Sequence, residues 1–124
     1  KGSHGSTYGG NPLAISVGKK VLEIISKKGF LESVDSVSRY FWKELQLLQK
    51  KYQNIVEVRG AGLLLGIKTK PNNLIVSSKL IKNRLLNVPA ADNVVRLAPP
   101  LIIKKEHVDE AIKIIDKTFE ELSD

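Results

Sequence analysis

A glycine-rich stretch near the start of the chain, Gly5-Ser6-Thr7-Tyr8-Gly9-Gly10-Asn11-Pro12, combines small residues with two aliphatic hydroxyl groups. Backbone N–H groups in such a loop can face an anion, and a helix that begins after the loop adds the positive end of its dipole. Asn11 is a typical N-cap and Pro12 a typical first helical residue. The stretch predicts an anion site that includes Ser6 and Thr7, with a simple loop leading into a helix as the alternative.

Arg96 is the second residue whose setting suggests chemistry. It lies among apolar residues and shortly before two prolines, in Val94-Val95-Arg96-Leu97-Ala98-Pro99-Pro100, a poor place for an ordinary solvated charge. Its planar guanidinium can hold a carboxylate through two hydrogen bonds, although it cannot act as an acid or base at neutral pH. Arg96 is therefore a candidate carboxylate-binding residue, with a structural ion pair on a strand as the alternative. Arg59 is expected to be structural.

Composition limits the classes of protein that this chain can represent. Its 124 residues, 42% of them hydrophobic, are enough for one domain with a modest core. The absence of cysteine excludes disulfides and thiolate catalysis and fits a reducing cytoplasm. His4 and His107 are too far apart in sequence for a local metal motif. Without a long apolar run or a signal-peptide pattern, we expect a soluble protein with no membrane partner.

The net charge of +7 and the pI of about 9.7 raise the question of a nucleic-acid partner. The lysines, however, occur as scattered pairs interleaved with acidic residues, and no common nucleic-acid-binding motif is present. We therefore interpret the basic residues as solvated helix faces and expect no nucleic-acid partner.

Hydrophobic periodicity predicts the elements that position these residues. Four helices are expected over residues 13–29, 31–52, 74–83 and 105–122, and strands over 55–67, 85–88 and 94–97. Gly60 and Gly62 mark a bulge or a close approach that divides the first strand region. The residues expected to face inward in the third helix are Leu74, Ser77, Ser78 and Ile81. Pro89 is expected to end a strand that pairs with residues 94–97 as a hairpin. The prediction is an α+β fold, with three or four antiparallel strands covered by helices.

Three segments, in order, resemble the class III pyridoxal-phosphate aminotransferases, in particular the acetylornithine and ornithine aminotransferase group. They are His4-Gly5-Ser6-Thr7-Tyr8-Gly9-Gly10-Asn11-Pro12-Leu13-Ala14, Val58-Arg59-Gly60-Ala61-Gly62-Leu63-Leu64-Leu65-Gly66-Ile67 and Asn93-Val94-Val95-Arg96-Leu97-Ala98-Pro99-Pro100-Leu101-Ile102-Ile103. The resemblance covers almost the whole chain. It implies the C-terminal small domain of a fold-type I enzyme, with residues 1–12 ending the large domain, residues 13–52 forming connecting and small-domain helices, and residues 53–124 forming the small α+β domain.

The resemblance also assigns roles to individual residues. Thr7 corresponds to the threonine that crosses the homodimer interface to the phosphate of the partner subunit's cofactor, pyridoxal 5'-phosphate, and Ser6 is a secondary contact. Arg96 corresponds to an arginine that faces the active site and pairs with a glutamate or with the α-carboxylate of the substrate glutamate. His4 is expected to stabilise the loop or to touch the substrate channel. Lys104 lies at an N-cap where the family usually has Thr or Ser.

The family's Schiff-base lysine lies in the large domain, upstream of the glycine-rich loop. We therefore expect no catalytic residue in this chain, which would be a C-terminal fragment and inactive alone. The implied parent reaction, a step of arginine biosynthesis, transfers an amino group from N-acetylornithine to 2-oxoglutarate, giving N-acetylglutamate semialdehyde and glutamate. Ornithine, succinylornithine, succinyl-diaminopimelate and 4-aminobutyrate remain alternative donors, and a non-catalytic stand-alone binding module remains an alternative class.

Overall fold

The computed structural model describes residues 5–123, so His4 lies outside the described residues. This part of the chain forms α1 (Pro12–Ile25), α2 (Phe30–Lys51), β1 (Ile55–Ala61), β2 (Leu64–Thr69), α3 (Asn73–Lys82), β3 (Val88–Ala90), β4 (Val94–Leu97) and α4 (Lys105–Glu120). The strands make one antiparallel sheet in the order β1-β2-β4-β3. The predicted α+β class is confirmed. Within residues 5–123, no helix has the length and apolar character needed to cross a membrane.

Two compact units divide the chain between Ser33 and Val34. In the first unit, α1 begins as its sequence predicts, because the Asn11 side chain accepts a hydrogen bond from the Ala14 amide at 2.9 Å and Pro12 occupies the first turn. The helix ends at Ile25 rather than near Gly29, where the chain turns into α2. None of the residues of α1 is buried. Its exposed apolar side chains are Leu13, Ile15, Val17, Val21, Leu22 and Ile24.

The second unit has its own hydrophobic core, which lies against one face of the sheet. Alternate residues of β2 and β4 point to that face, as the two-residue period of a strand requires. Helices α2, α3 and α4 contribute to the same core. Its fully or nearly fully buried members include Phe41, Leu45, Leu65, Ile67, Val76, Leu80, Val95, Leu97, Val108, Ile115 and Phe119.

The predicted inward face of α3 was wrong. Leu74 and Ile81 are 60% and 49% exposed, whereas Val76 and Leu80 are completely buried, and of the predicted set only Ser77 is buried. The rotation of this short helix is set by tertiary contacts at its first residue, whose side chain bonds to backbone carbonyls of β3 and β4. Hydrophobic spacing over ten residues was too short a pattern to determine that rotation.

The predicted strand over residues 85–88 was also misplaced. Strand β3 instead spans Val88–Ala90 and contains Pro89, which had been expected to end it. β3 is an edge strand, with β4 on one side and no further strand of the sheet on the other. Proline is tolerated in an edge strand because it has no N–H to donate to a neighbouring strand. The hairpin pairing of β3 with β4 is confirmed, and β4 ends at Leu97 before the two prolines.

Residues 63–65 and 94–97 leave little apolar surface, since Leu63, Leu65, Val94 and Leu97 are at most 4% exposed and pack within the second unit. Leu64 alone among these leucines and valines is extensively exposed.

Candidate functional site

The glycine-rich loop forms a tight turn that contains Ser6 and Thr7. The Gly9 amide donates to the Ser6 carbonyl at 3.3 Å, and a Cβ on Gly9 would lie 3.3 Å from the Ser6 Cβ, so a larger residue would crowd the turn. Gly10 has φ +79°, a left-handed conformation that favours glycine. Asn11 ties the turn to α1, because its side-chain amide donates to the Tyr8 carbonyl at 2.9 Å.

The hydroxyl groups of Ser6 and Thr7 are available to a ligand. Both residues are exposed, and within residues 5–123 neither hydroxyl, nor the Thr7 amide, has a hydrogen-bond partner. The loop leads directly into the N-terminus of α1, whose first turn carries no acidic side chain. This arrangement offers donors and a positive dipole end, and no negative charge, to a phosphate-sized anion.

Arg96 lies on the other face of the sheet from the core. It pairs with Gly66 of β2 and with Val88 of β3, and Gly66 in turn pairs with Arg59 of β1. Directly opposed residues in an antiparallel sheet point to the same side, so Arg59 and Arg96 share this face at a separation of two strands, roughly 10 Å. We call this surface the open face and define it by Glu57, Arg59, Gly66, Lys68, Val94 and Arg96.

Two of the three cations on the open face have carboxylate partners. Arg59 contacts Asp92 at 3.0 Å and Glu57 at 3.8 Å, and Lys68 contacts the other oxygen of Asp92 at 2.8 Å. Lys68 and then Arg59, both bonded to its carboxylate, hold the pKa of Asp92 below its ordinary value. Arg59 is thus held in an ion pair by Asp92, a partner that the sequence did not indicate.

Arg96 differs from its neighbours because it has no partner within the described chain. It is exposed, and among residues 5–123 no carboxylate lies within 4.0 Å of its guanidinium. Arg96 and Arg59 both line a shallow cavity of about 220 Å³, together with Gly66 and Val94. A structural ion pair, the alternative explanation for this arginine, is thus not formed by the described residues.

Sequence reasoning missed Asn93, which positions the loop between β3 and β4. The Asn93 side chain accepts from the Asn73 amide at 2.8 Å and donates to the carbonyls of Thr69 and Pro71. Asp92 and Asn93 both adopt left-handed backbone conformations, with φ +62° and +56°. An Asp-Asn pair between two apolar strands is a recognisable signal for such a turn. The partners of Asn93, however, depend on tertiary structure.

The class of this protein follows from a comparison of its sequence with models of protein families. The family model described as aminotransferase class-III matches residues 1–119. The chain therefore belongs to the class-III aminotransferase family.

Individual relatives agree with that assignment. The acetylornithine aminotransferase of Caldanaerobacter subterraneus subsp. tengcongensis is 43% identical over 98% of this chain and 31% of the relative. The crystal structure of acetylornithine aminotransferase from Elizabethkingia anophelis matches 98% of the chain and 31% of that protein, with a TM-score of 0.85 and 36% identity. The chain thus spans about a third of the length of the relatives it matches.

A third relative bears on the cofactor. The ornithine aminotransferase of Toxoplasma gondii, crystallised in the presence of oxidised glutathione, shows partial occupancy of pyridoxal phosphate at its active site. Its structure matches 98% of this chain and 30% of that protein, with a TM-score of 0.85 and 32% identity.

Proposed function

We propose that this chain supplies two binding elements to a pyridoxal-phosphate-dependent aminotransferase that works as a cytoplasmic homodimer. Thr7, assisted by Ser6, binds the phosphate of the partner subunit's cofactor, and Arg96 binds a carboxylate of the substrate. The observation that carries the proposal is the exposed Arg96, without a carboxylate partner among residues 5–123, on a face where Arg59 and Lys68 are both paired.

The loop around Thr7 fits the phosphate end of the cofactor. Its hydroxyl and amide have no partner within residues 5–123, and the adjoining helix start carries no opposing charge. When bound, the cofactor supplies the electron sink for amino transfer. The contribution of Thr7 is to hold and orient the phosphate through a hydroxyl and a backbone N–H, which together act as neutral donors to an anion.

Arg96 fits the carboxylate of an amino or oxo acid. A guanidinium binds one carboxylate through two parallel hydrogen bonds, which fixes the direction of the substrate as well as its position. The 43% identity to an acetylornithine aminotransferase supports N-acetylornithine as the amino donor and 2-oxoglutarate as the acceptor. In this proposal the Schiff-base lysine belongs to an upstream large domain, which residues 1–12 would complete.

Ornithine is the second candidate donor, because the ornithine aminotransferase of Plasmodium falciparum matches this chain with a TM-score of 0.86 and 38% identity. The residues that bind the distinguishing part of the donor would lie in the large domain.

The test is an assay of the natural polypeptide that carries this sequence, purified from its source cells and weighed by mass spectrometry. We expect a mass well above 13.7 kDa, bound pyridoxal phosphate, and glutamate formation from 2-oxoglutarate with N-acetylornithine or ornithine as donor. Arg96→Lys should raise the KM for 2-oxoglutarate roughly tenfold or more, because a lysine cannot make the two-point contact. Arg39→Lys, which changes an exposed arginine on α2, is the matched control. A polypeptide of 13.7 kDa without amino-transfer activity would instead support a non-catalytic binding module.

A further inference from the structure

We propose that Asp92 is a selectivity residue of the Arg96 site: it confines carboxylate binding on the open face to Arg96 by holding Arg59 and Lys68 in ion pairs. This inference rests on the proposed function, since it takes Arg96 as the residue that binds the substrate carboxylate.

The register of the sheet brings a second arginine close to the site. Arg59, Gly66 and Arg96 occupy one row across β1, β2 and β4. Both arginines line the same cavity of about 220 Å³. An unpaired Arg59 would therefore offer the cavity a second guanidinium, and a dicarboxylate could be held at both ends.

Asp92 prevents this by engaging both neighbouring cations at once. One of its carboxylate oxygens lies 3.0 Å from Arg59 and the other 2.8 Å from Lys68. The adjacent Asn93, whose side chain bonds to three backbone groups, holds the loop that carries Asp92. The carboxylate is thus presented from a fixed backbone position.

Gly66 lies beside both Arg59 and Val94 on the open face. A Cβ on Gly66 would lie 3.0 Å from the Val94 Cγ1, which is a crowded contact, and 3.6 Å from the Arg59 Cγ, which is an ordinary van der Waals contact, so the stem of Arg59 lies beside the backbone of β2. Gly66 does not have a positive φ, and its absence of a side chain is therefore explained by this space and not by backbone conformation.

The charge balance of the open face follows from these contacts. Asp92 and Glu57 together offset Arg59 and Lys68, and Arg96 remains as the one cation there with no carboxylate partner among residues 5–123. A dicarboxylate would accordingly be bound through one of its carboxylates, by Arg96. For 2-oxoglutarate held through its α-carboxylate, the carbonyl carbon that accepts the amino group is next to the bound carboxylate, and the distal carboxylate is not held by this face.

The sequence allows a direct experiment, because the chain has only four arginines: Arg39, Arg59, Arg84 and Arg96. In the natural polypeptide, the side-chain Nε–H resonances of these four arginines, each assigned from its Arg→Lys variant, can be followed by ¹⁵N NMR during titration with glutarate or with acetate at constant ionic strength. In the wild-type chain we expect both ligands to shift Arg96 and to leave Arg59 unchanged.

In Asp92→Asn, we expect the Arg59 resonance to move and then to respond to glutarate. Glutarate should bind roughly three- to tenfold more tightly than to wild type, whereas the affinity for acetate should change less than about twofold. Asparagine tolerates the left-handed backbone at this position, so the loop should be preserved.

The matched control is Asp35→Asn, which removes an equal charge from an exposed pair with Arg39 on α2. It should shift Arg39 and leave the preference for glutarate over acetate unchanged. An Arg59 resonance that stays unresponsive to glutarate in Asp92→Asn would overturn the role of Asp92. A wild-type Arg96 resonance that responds to neither ligand would instead contradict the proposed function.

Discussion

Arg59 and Arg96 lie on opposite sides of Gly66 in one row across the sheet, and only Arg59 has a carboxylate partner among the described residues. Among the described residues, one arginine of this surface is therefore paired with a carboxylate and the other is not. Arg59 is tied to the loop before β4, and Arg96 remains available to a ligand. The difference comes from the position of Asp92, which is 33 residues from Arg59 in sequence.

Replacing Thr7 should weaken cofactor binding without affecting folding. Thr7→Ala removes an exposed hydroxyl that bonds to nothing within residues 5–123, so the free energy of unfolding should stay within about 0.5 kcal/mol of wild type. Loss of one hydrogen bond to the phosphate should raise the Kd for pyridoxal phosphate by roughly three- to tenfold in the natural polypeptide, measured by absorbance titration. Thr7→Ser retains the hydroxyl and should restore most of the affinity. Equal weakening in both variants would argue against a hydroxyl contact.

Asn93 should be among the polar residues whose loss is most costly. Asn93→Ala removes hydrogen bonds to Asn73, Thr69 and Pro71 and places alanine at φ +56°. We expect a loss of about 2–4 kcal/mol in urea unfolding, because partly buried backbone groups lose their partners and a left-handed conformation is unfavourable for alanine. Asn72→Ala is the comparison, since it removes only the N-cap of α3 and should cost about 1 kcal/mol. Similar losses in the two variants would contradict a central role for Asn93.

Gly60 and Gly62 should respond very differently to alanine. A Cβ on Gly60, at φ +138°, would lie 2.0 Å from the Leu64 carbonyl oxygen, whereas a Cβ on Gly62, at φ +54°, would meet nothing within 4 Å. Gly60→Ala should therefore cost roughly 3 kcal/mol or more, and Gly62→Ala only about 1–2 kcal/mol from backbone conformation. Thermal unfolding of the two variants side by side provides the measurement. A smaller effect at Gly60 than at Gly62 would show that the hairpin relaxes easily.

Asp116 should make the stability of the chain sensitive to acid. Lys51, at 2.7 Å, and the Tyr52 hydroxyl, at 2.8 Å, both bond to its carboxylate and hold the pKa of Asp116 below its ordinary value. The resulting stabilisation is present above the unfolded-state pKa of about 4 and is lost as the pH falls through the lower folded-state pKa.

Asp116→Asn should consequently be less stable than wild type at neutral pH and should lose less stability between about pH 5 and pH 2. Urea midpoints measured across that range test this expectation. Parallel pH profiles for the two proteins would show that other carboxylates dominate the acid response.

Short-range chemistry made several features predictable from sequence. Asn11 and Pro12 predict the start of α1. The N-cap needs only a side-chain acceptor, which Asn11 provides, and the first helical position suits the fixed φ of Pro12. The long stripe of apolar residues in α2 predicted its buried side, including Phe41, Leu45 and Leu48. Lys104 was predicted at the N-cap of α4, where it forms no side-chain cap; instead the His107 side chain accepts from its backbone amide at 3.0 Å. A lysine ammonium has no acceptor for this purpose.

The sequence by itself determined the α+β class, the family and the identities of Ser6, Thr7 and Arg96 as candidate site residues. Only the tertiary structure decided the rotation of α3, the place of Pro89 on an edge strand and the pairing of Asp92 with both Arg59 and Lys68. The physical reason is the distance in sequence between the residues that interact. Capping, turn formation and helical periodicity depend on neighbours within a few residues, whereas the charge state of the open face depends on strand register, which brings together side chains that are 24 and 33 residues apart in sequence.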